Sequence, residues 1–346
     1  AGGVRMKSRG VRAIGIVFLI AISYVFRSTA GLAWNEKEFF QKRIVTRSFV
    51  PTAGSGDMTA QTLVGSPHWY TIQKKDTLLD IARYYDLGYN ELNDAYSNMS
   101  PWLPEAGALI SVPTTWIVPN SRHEGVIVNI PEMRLYYFPA STKKNRERTV
   151  ITLPVGLGRE EWPTPQTLFR VRGKTRNPVW VIPESIKKER IAEKGWSEDR
   201  IPGGSPDNPL GRYRIELSLV KTKGSYAIHD TNTPWAVGRL VTYGCIRLYP
   251  EDIEQFFDIV RIGVMGEVVY QPIKIGVRHN RVYAEVHKDI YQLVPNYWEE
   301  AQKVLKNGGW TKFVDQKRLA RAVREKTGVP IDVTKASHFL SLGEGQ

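Results

Sequence analysis

Thr242-Tyr243-Gly244-Cys245-Ile246-Arg247-Leu248 holds the only cysteine of the chain, and Pro250 follows directly after Tyr249. A proline suits the first turn of a helix, where its missing N–H has no partner to lose. Ile253, Phe256, Phe257 and Val260 then recur at helical spacing and predict one apolar face. Gly244 removes a side chain beside the sulfur and lets a reacting carbonyl approach. Upstream, His229 ends a predicted strand, and a loop containing Pro234 and Gly238 can fold the imidazole back towards the thiol. A cysteine nucleophile needs such a partner, because the thiolate is the reactive form and a free thiol titrates near pH 8.5, roughly. Taken alone, the two residues leave two readings open: an activated nucleophile with its base, or a buried inert cysteine and an unrelated core histidine.

Around this stretch the pattern is strand-rich. Segments 126–130, 134–138, 150–153, 167–171, 214–219, 226–229 and 268–270 are rich in β-branched and aromatic residues, with Pro- and Gly-bearing turns between them. They predict an α+β chain with a β-rich, sandwich-like domain over 122–272. A smaller unit precedes it at 67–114. There a strand at 70–72 leads to Asp76 as helix cap, and Leu78, Ile81, Ala82 and Tyr85 form one helix face. A second short helix at 90–96 and a closing strand at 109–113 complete a βααβ order. Residues 34–66 read as a linker through Pro51-Thr52-Ala53-Gly54-Ser55-Gly56. The stretch 273–346 reads as a partly helical C-terminal extension, with two helices after Asp289 and Gly328 and Pro330 stopping the second.

The N-terminal 1–33 carries Arg5, Lys7, Arg9 and Arg12 ahead of an apolar run at 13–26. The run falls short of the about 20 residues a bilayer span needs. It reads as a secretory signal, with cleavage near Ala33, or as an uncleaved signal anchor. Either way the rest of the chain is expected in the periplasm or cell envelope. The net charge of +13 over 346 residues is scattered beyond the N-terminus, so no basic stripe suits nucleic acid. One cysteine excludes an intramolecular disulfide and a cysteine-rich zinc site. His68, His123, His279, His287 and His338 show no ligand spacing. Neither a metal nor a cofactor is expected.

The stretch Ile228-His229-Asp230-Thr231-Asn232, with Gly238 and Thr242 to Leu248, resembles the catalytic domain of YkuD-type L,D-transpeptidases. Ile130-Pro131-Glu132-Met133-Arg134-Leu135-Tyr136-Tyr137, Val155-Gly156, Trp162-Pro163-Thr164-Pro165, Asn177-Pro178-Val179-Trp180 and Asn208-Pro209-Leu210-Gly211 agree with it. The 67–114 unit resembles a LysM domain through Tyr70-Thr71-Ile72, Asp76-Thr77-Leu78, Ile81-Ala82 and Leu109-Ile110-Ser111-Val112-Pro113, with Lys75 where that family usually has glycine. The resemblance implies acyl transfer through a cysteine thioester on peptidoglycan tetrapeptide stems, and glycan-strand binding by the smaller unit. Cys245 would be the nucleophile, His229 the general base, and backbone N–H groups near Gly244 and Cys245 the oxyanion site. Arg247, Thr242 and Asn232 would contact substrate, although for Arg247 a loop-supporting role through hydrogen bonds is favoured. The acceptor could be a neighbouring stem's amine, water, or a lipoprotein lysine; hydrolysis that detaches such a protein, and an inactive peptidoglycan-binding scaffold, also stay open. Two departures stand in the motif. Tyr243 replaces the family's second histidine and shapes the oxyanion region without serving as a base, since phenol titrates near pH 10, roughly. Asp230 replaces a common glycine, and its carboxylate either favours an imidazolium at His229 or faces solvent.

Overall fold

A computed structural model describes residues 44–140, 145–184, 186–187, 199–220 and 224–338. The expected signal segment and the start of the expected linker lie outside these residues. Nine strands build the main sheet: β1 (Arg47–Phe49), β2 (Gly125–Asn129), β3 (Arg134–Phe138), β4 (Arg148–Pro154), β5 (Leu168–Arg176), β6 (Tyr213–Leu219), β7 (Tyr226–His229), β8 (Ile246–Arg247) and β9 (Met265–Val269). Their spatial order is β1-β4-β3-β2-β9-β5-β6-β7-β8. Most neighbours are antiparallel, but β2 pairs with β9 and β7 pairs with β8 in parallel. The second parallel pair matters most, because it sets the histidine strand beside the cysteine turn at one edge of the sheet.

Residues alternate across a strand, and here both faces are covered. Val126, Val128, Leu135, Tyr137, Ile151 and Leu153 point into one apolar cluster, which also takes in Ile228, Ile246 and Leu248 beside the site. Helix α3 (Pro250–Ile259) closes that cluster with Ile253, Phe256 and Phe257, the stripe predicted from spacing. The intervening residues Ile127, Tyr136, Phe138 and Val150 face the other way into a second cluster, shared with Ile72, Leu78, Ile81, Leu92 and Trp116. The chain is thus mixed α/β and β-rich. Among the described residues, the main sheet has the helix on one face and the small unit on the other.

The small unit runs from a strand at His68–Thr71 through α1 (Leu78–Tyr84) and α2 (Tyr89–Ala95) to a strand at Leu109–Val112, which pairs antiparallel with the first. Thr77, not Asp76, caps α1: Asp80 N–H donates to Thr77 Oγ1 and Thr77 N–H to the Asp80 carboxylate, each at 3.1 Å. The Asp76 carboxylate instead accepts the Tyr70 hydroxyl and the Gln73 N–H, each at 2.7 Å. Lys75, at the position where glycine was anticipated, adopts the left-handed region with φ of 78°. The expected linker also needs correction. Its described part adds β1 to the main sheet beside β4, and Leu63–Gly65 pairs with Thr115–Ile117. Phe49 and Val64 are buried in the second cluster, so these residues are structural.

After β9 the chain forms a hairpin, Ile273–Arg278 with Arg281–Val286, turning at His279 and Asn280, both at positive φ. Helices α4 (Tyr297–Gly308) and α5 (Gln316–Glu325) cover it, capped by the side chains of Asn296 and Asp315. The C-terminal part is therefore a small α/β layer, in which the two helices expected after Asp289 pack on a hairpin. Lys274 pins it to the main sheet: its Nζ donates to Glu132 Oε2 at 2.7 Å and to the Ile117 carbonyl at 2.7 Å, and stands 2.8 Å from Glu285 Oε1. Among the described residues, no helix is long and apolar enough to cross a membrane.

Candidate active site

Register explains the site. His229 lies opposite Arg247 across β7 and β8, and opposite Arg214 across β6 and β7. Ile228 and Ile246 point down into the core. Alternation then turns His229, Arg214, Arg247 and, two residues before Arg247, Cys245 to the opposite face. All four line one cavity of about 530 Å³. Its far wall is apolar, made by Val179, Trp180, Val181, Pro183 and Leu210.

His229 is buried, and its Nδ1 lies 2.6 Å from the carbonyl of Asp230. A carbonyl only accepts, so Nδ1 carries the hydrogen and Nε2 keeps its lone pair. Burial, with Arg247 and Arg214 nearby, drives the imidazole down to about 3. The imidazole is therefore neutral at ordinary pH. Burial likewise pushes the Cys245 thiol up, against the pull of the Ala227 N–H and the two arginines. The sulfur donates to the Ser225 carbonyl at 3.9 Å. The resting pair is a neutral thiol and a neutral imidazole.

Asp230 acts through its backbone. Its carboxylate accepts the N–H groups of Arg212 and Thr231, each at 2.7 Å, and so does not pair with the imidazole. Gly211, at φ of 60°, leaves room for that carboxylate; a Cβ there would lie 2.3 Å from its carbon. Neither expectation for this side chain describes it, since it is buried and bonded to main chain.

The cysteine turn is tied by Thr242. Its hydroxyl accepts Gly244 N–H at 3.2 Å and donates to the Cys245 carbonyl at 2.6 Å. The Gly244 N–H expected for an oxyanion is therefore already bonded. Gly244 itself sits at φ of 98°, and a Cβ there would come within 2.9 Å of the Tyr226 ring. Thr242 is buried and ties the turn, and it also lines the cavity, as a substrate contact would. Asn232 is exposed, donates to the Pro206 carbonyl at 3.0 Å and does not line the cavity. Tyr243 does line it, with the Arg159 guanidinium 4.2 Å from its ring centre and the Trp162 ring 6.0 Å away. Arg159 and Trp162 were not picked out as site residues, although Trp162 stands in the Trp-Pro-Thr-Pro stretch.

Arg247 differs from its neighbour Arg214. Arg214 is paired with Glu216 and donates to Ser225 Oγ at 3.0 Å. Arg247 Nε is buried with no hydrogen-bond partner among the described residues. Its main chain, not its side chain, supports the turn, bonding Gly156 in both directions at 2.9 Å. The hydrogen-bonding role favoured from sequence is thus carried by the backbone.

A family model described as the YkuD L,D-transpeptidase catalytic domain matches residues 123–275. The probable L,D-transpeptidase ErfK/SrfK of Salmonella typhimurium is 31% identical over 282 residues, covering 79% of this chain and 88% of that protein. The chain belongs to the L,D-transpeptidase family. The probable L,D-transpeptidases YbiS and YcfS of Escherichia coli are similar too. They are 30% and 29% identical, covering 82% and 83% of this chain and 90% and 88% of theirs. As an L,D-transpeptidase the chain is a peptidoglycan-crosslinking enzyme, and the cavity over Cys245 falls inside the matched domain.

Among the described residues, a cluster away from the cavity has metal-type ligands. Glu132, Glu285 and His287 bring ligand atoms within 4.8 Å of one another. His287 Nε2 lies 2.7 Å from Glu285 Oε1, a pairing not anticipated from sequence even though the two share one strand face. Lys274 already stands at the cation position between the two carboxylates. Burial favours a protonated Glu285, but Lys274 and His287 outweigh it and hold its carboxyl low.

Proposed function

We propose that Cys245 is the acyl-carrying nucleophile and His229 its general base, acting on tetrapeptide stems of peptidoglycan. The observation that supports this best is the shared face of β7 and β8, with the imidazole held in the tautomer whose Nε2 can take a proton. The thiol swings from the Ser225 carbonyl and passes its proton to Nε2 as the sulfur attacks the carbonyl of the third stem residue. The negative charge that develops on oxygen meets the Cys245 N–H, the remaining donor of the anticipated pair. The C–N bond to the terminal D-alanine breaks, and its nitrogen takes the proton from Nε2. An acceptor amine then attacks the thioester, gives its proton to Nε2, and the thiol re-forms.

Arg247 fits the stem's carboxylate, because it lines the cavity with an Nε that lacks a partner among the described residues, and a guanidinium favours a planar anion. The favoured acceptor is a neighbouring stem's amine, with water giving a carboxypeptidase and a lysine on a lipoprotein giving an anchoring enzyme. The 67–114 unit acts as a LysM-like glycan module, and the enzyme works in the periplasm or cell envelope. The test is intact-mass and muropeptide analysis after incubation with tetrapeptide stems or a carbapenem. Wild type should show a covalent adduct on Cys245 and crosslinked dimers, and Cys245→Ser should show neither. Crosslinking by Cys245→Ser would sink the mechanism, and free tripeptide without dimers would point to water as the acceptor.

A further inference from the structure

The cysteine turn is also held from a side away from the cavity. Thr164, in the loop after Gly158, is buried and does not line the cavity over Cys245. Its hydroxyl donates to the Gly244 carbonyl at 3.2 Å and accepts the Gly158 N–H at 3.0 Å. Tyr291 clasps the same loop. Its hydroxyl donates to the Gly158 carbonyl at 2.6 Å and accepts the Thr164 N–H at 3.2 Å. Tyr291 rests in turn on the C-terminal side. Its ring stacks on that of Tyr270 with centroids 6.2 Å apart, and its N–H donates to the Tyr270 hydroxyl at 3.0 Å. That hydroxyl donates to the Asp289 carboxylate.

A hydroxyl has one hydrogen to give. Thr164 already receives the Gly158 N–H, so its own hydrogen goes to the Gly244 carbonyl. That carbonyl and the Cys245 N–H belong to one planar trans peptide and point in opposite directions, so fixing one fixes the other. Thr242 holds the peptides on either side of this one, through Gly244 N–H and the Cys245 carbonyl. The peptide between them takes its side-chain bond from Thr164. Gly244, without a Cβ, adds little steric restraint of its own. We infer that Thr164 and Tyr291 are positioning residues that aim the Cys245 N–H at the oxyanion. Thr164 acts on the donor's own peptide. Tyr291, beyond the 123–275 stretch that matches the family model, acts through Thr164. The C-terminal part thereby sets the rate of acyl transfer without touching substrate. This rests on the reading that acyl transfer at Cys245 places its oxyanion on that N–H.

Two reactions of the same thiol test it. Acylation by a carbapenem passes through a tetrahedral oxyanion; alkylation by iodoacetamide displaces iodide and forms none. Both rates are read on the full chain by intact mass. Thr164→Val should slow acylation by about 10- to 100-fold, less than the roughly 100- to 1,000-fold cost of deleting an oxyanion donor outright. Tyr291→Phe keeps the ring on Tyr270 and should slow acylation by about tenfold, the scale of one hydrogen bond. Alkylation should be unchanged in both variants, which also shows that the turn is folded. Thr164→Ser keeps the hydroxyl and should restore most of the acylation rate. Wild-type acylation in Thr164→Val overturns the proposal, and wild-type acylation in Tyr291→Phe removes Tyr291 from it. A parallel fall in both reactions also overturns it, because that marks a merely structural role. A wild-type chain that is alkylated but never acylated would overturn the acyl-transfer reading and this proposal with it.

Discussion

Two of the buried clusters of ionisable groups among the described residues are finished differently. Around Lys274, each charge meets its opposite: Glu132, Glu285 and His287 are engaged, and Tyr136 completes the set through Glu132. Around Cys245 the polar groups are held but not closed. His229 Nε2 is left with a lone pair, the thiol rests neutral, and Arg247 Nε has no acceptor. A closed network pins two layers together. An open one keeps its unmet capacity for a ligand, which is why unpaired buried polar groups concentrate where chemistry happens.

Substitutions sharpen that contrast, the largest effect being expected in the open cluster. His229→Ala should lower the rate of Cys245 acylation by about 100- to 10,000-fold, the usual loss of a general base, with little change in unfolding midpoint. Single-turnover acylation measures it, and a loss under about tenfold would move the base elsewhere. Lys274→Met should do the reverse. It leaves Glu132 and Glu285 buried without their cation, which typically costs about 3–5 kcal/mol. Denaturant unfolding reads that loss, while the folded fraction should keep its acylation rate. If Lys274→Met lost activity at full stability, the two clusters would not be separable.

pH separates them further. With the Cys245 thiol raised and His229 depressed, alkylation of Cys245 by iodoacetamide should keep climbing beyond about pH 8.5, the free-thiol value. A plateau near neutrality would reveal an imidazolium–thiolate pair and contradict the neutral resting state. For stability the sign follows from His229 alone. Between an ordinary imidazole value of about 6.5 and the depressed value of about 3, the unfolded chain binds a proton that the folded chain refuses. Stability therefore falls as pH drops through that window. His229→Gln should lose this part of the slope in equilibrium unfolding.

The smallest effect is expected at Tyr243. Its ring carries the Arg159 contact and the approach to Trp162, and Phe preserves both. Tyr243→Phe should cost about tenfold or less in acylation, roughly 1.4 kcal/mol at most. A dead variant would show that the hydroxyl has an essential role.

How much could be read in advance divides along physical lines. The stripe of α3, the strands at 214–219 and 226–229, and the convergence of one cysteine and one upstream histidine on a single cavity were legible, because periodicity and residue type are local. The small unit's element order was legible for the same reason. Its cap was misplaced by one residue, since Thr77 and Asp76 both suit the role and only the Asp80 reciprocal bond decides between them. Which strand lies beside which is a different kind of fact. The parallel register of β7 and β8, which brings Arg247 opposite His229, depends on pairing across the chain. The same holds for Lys274 between two distant carboxylates, for the small unit sharing a core with the main sheet, and for 44–66 serving as structure. Sequence by itself determined the chemistry available: one thiol, one placed imidazole, one following arginine. Tertiary structure alone decided which polar groups would be satisfied and which left open, because burial and hydrogen-bond partners are set by residues far apart in the chain.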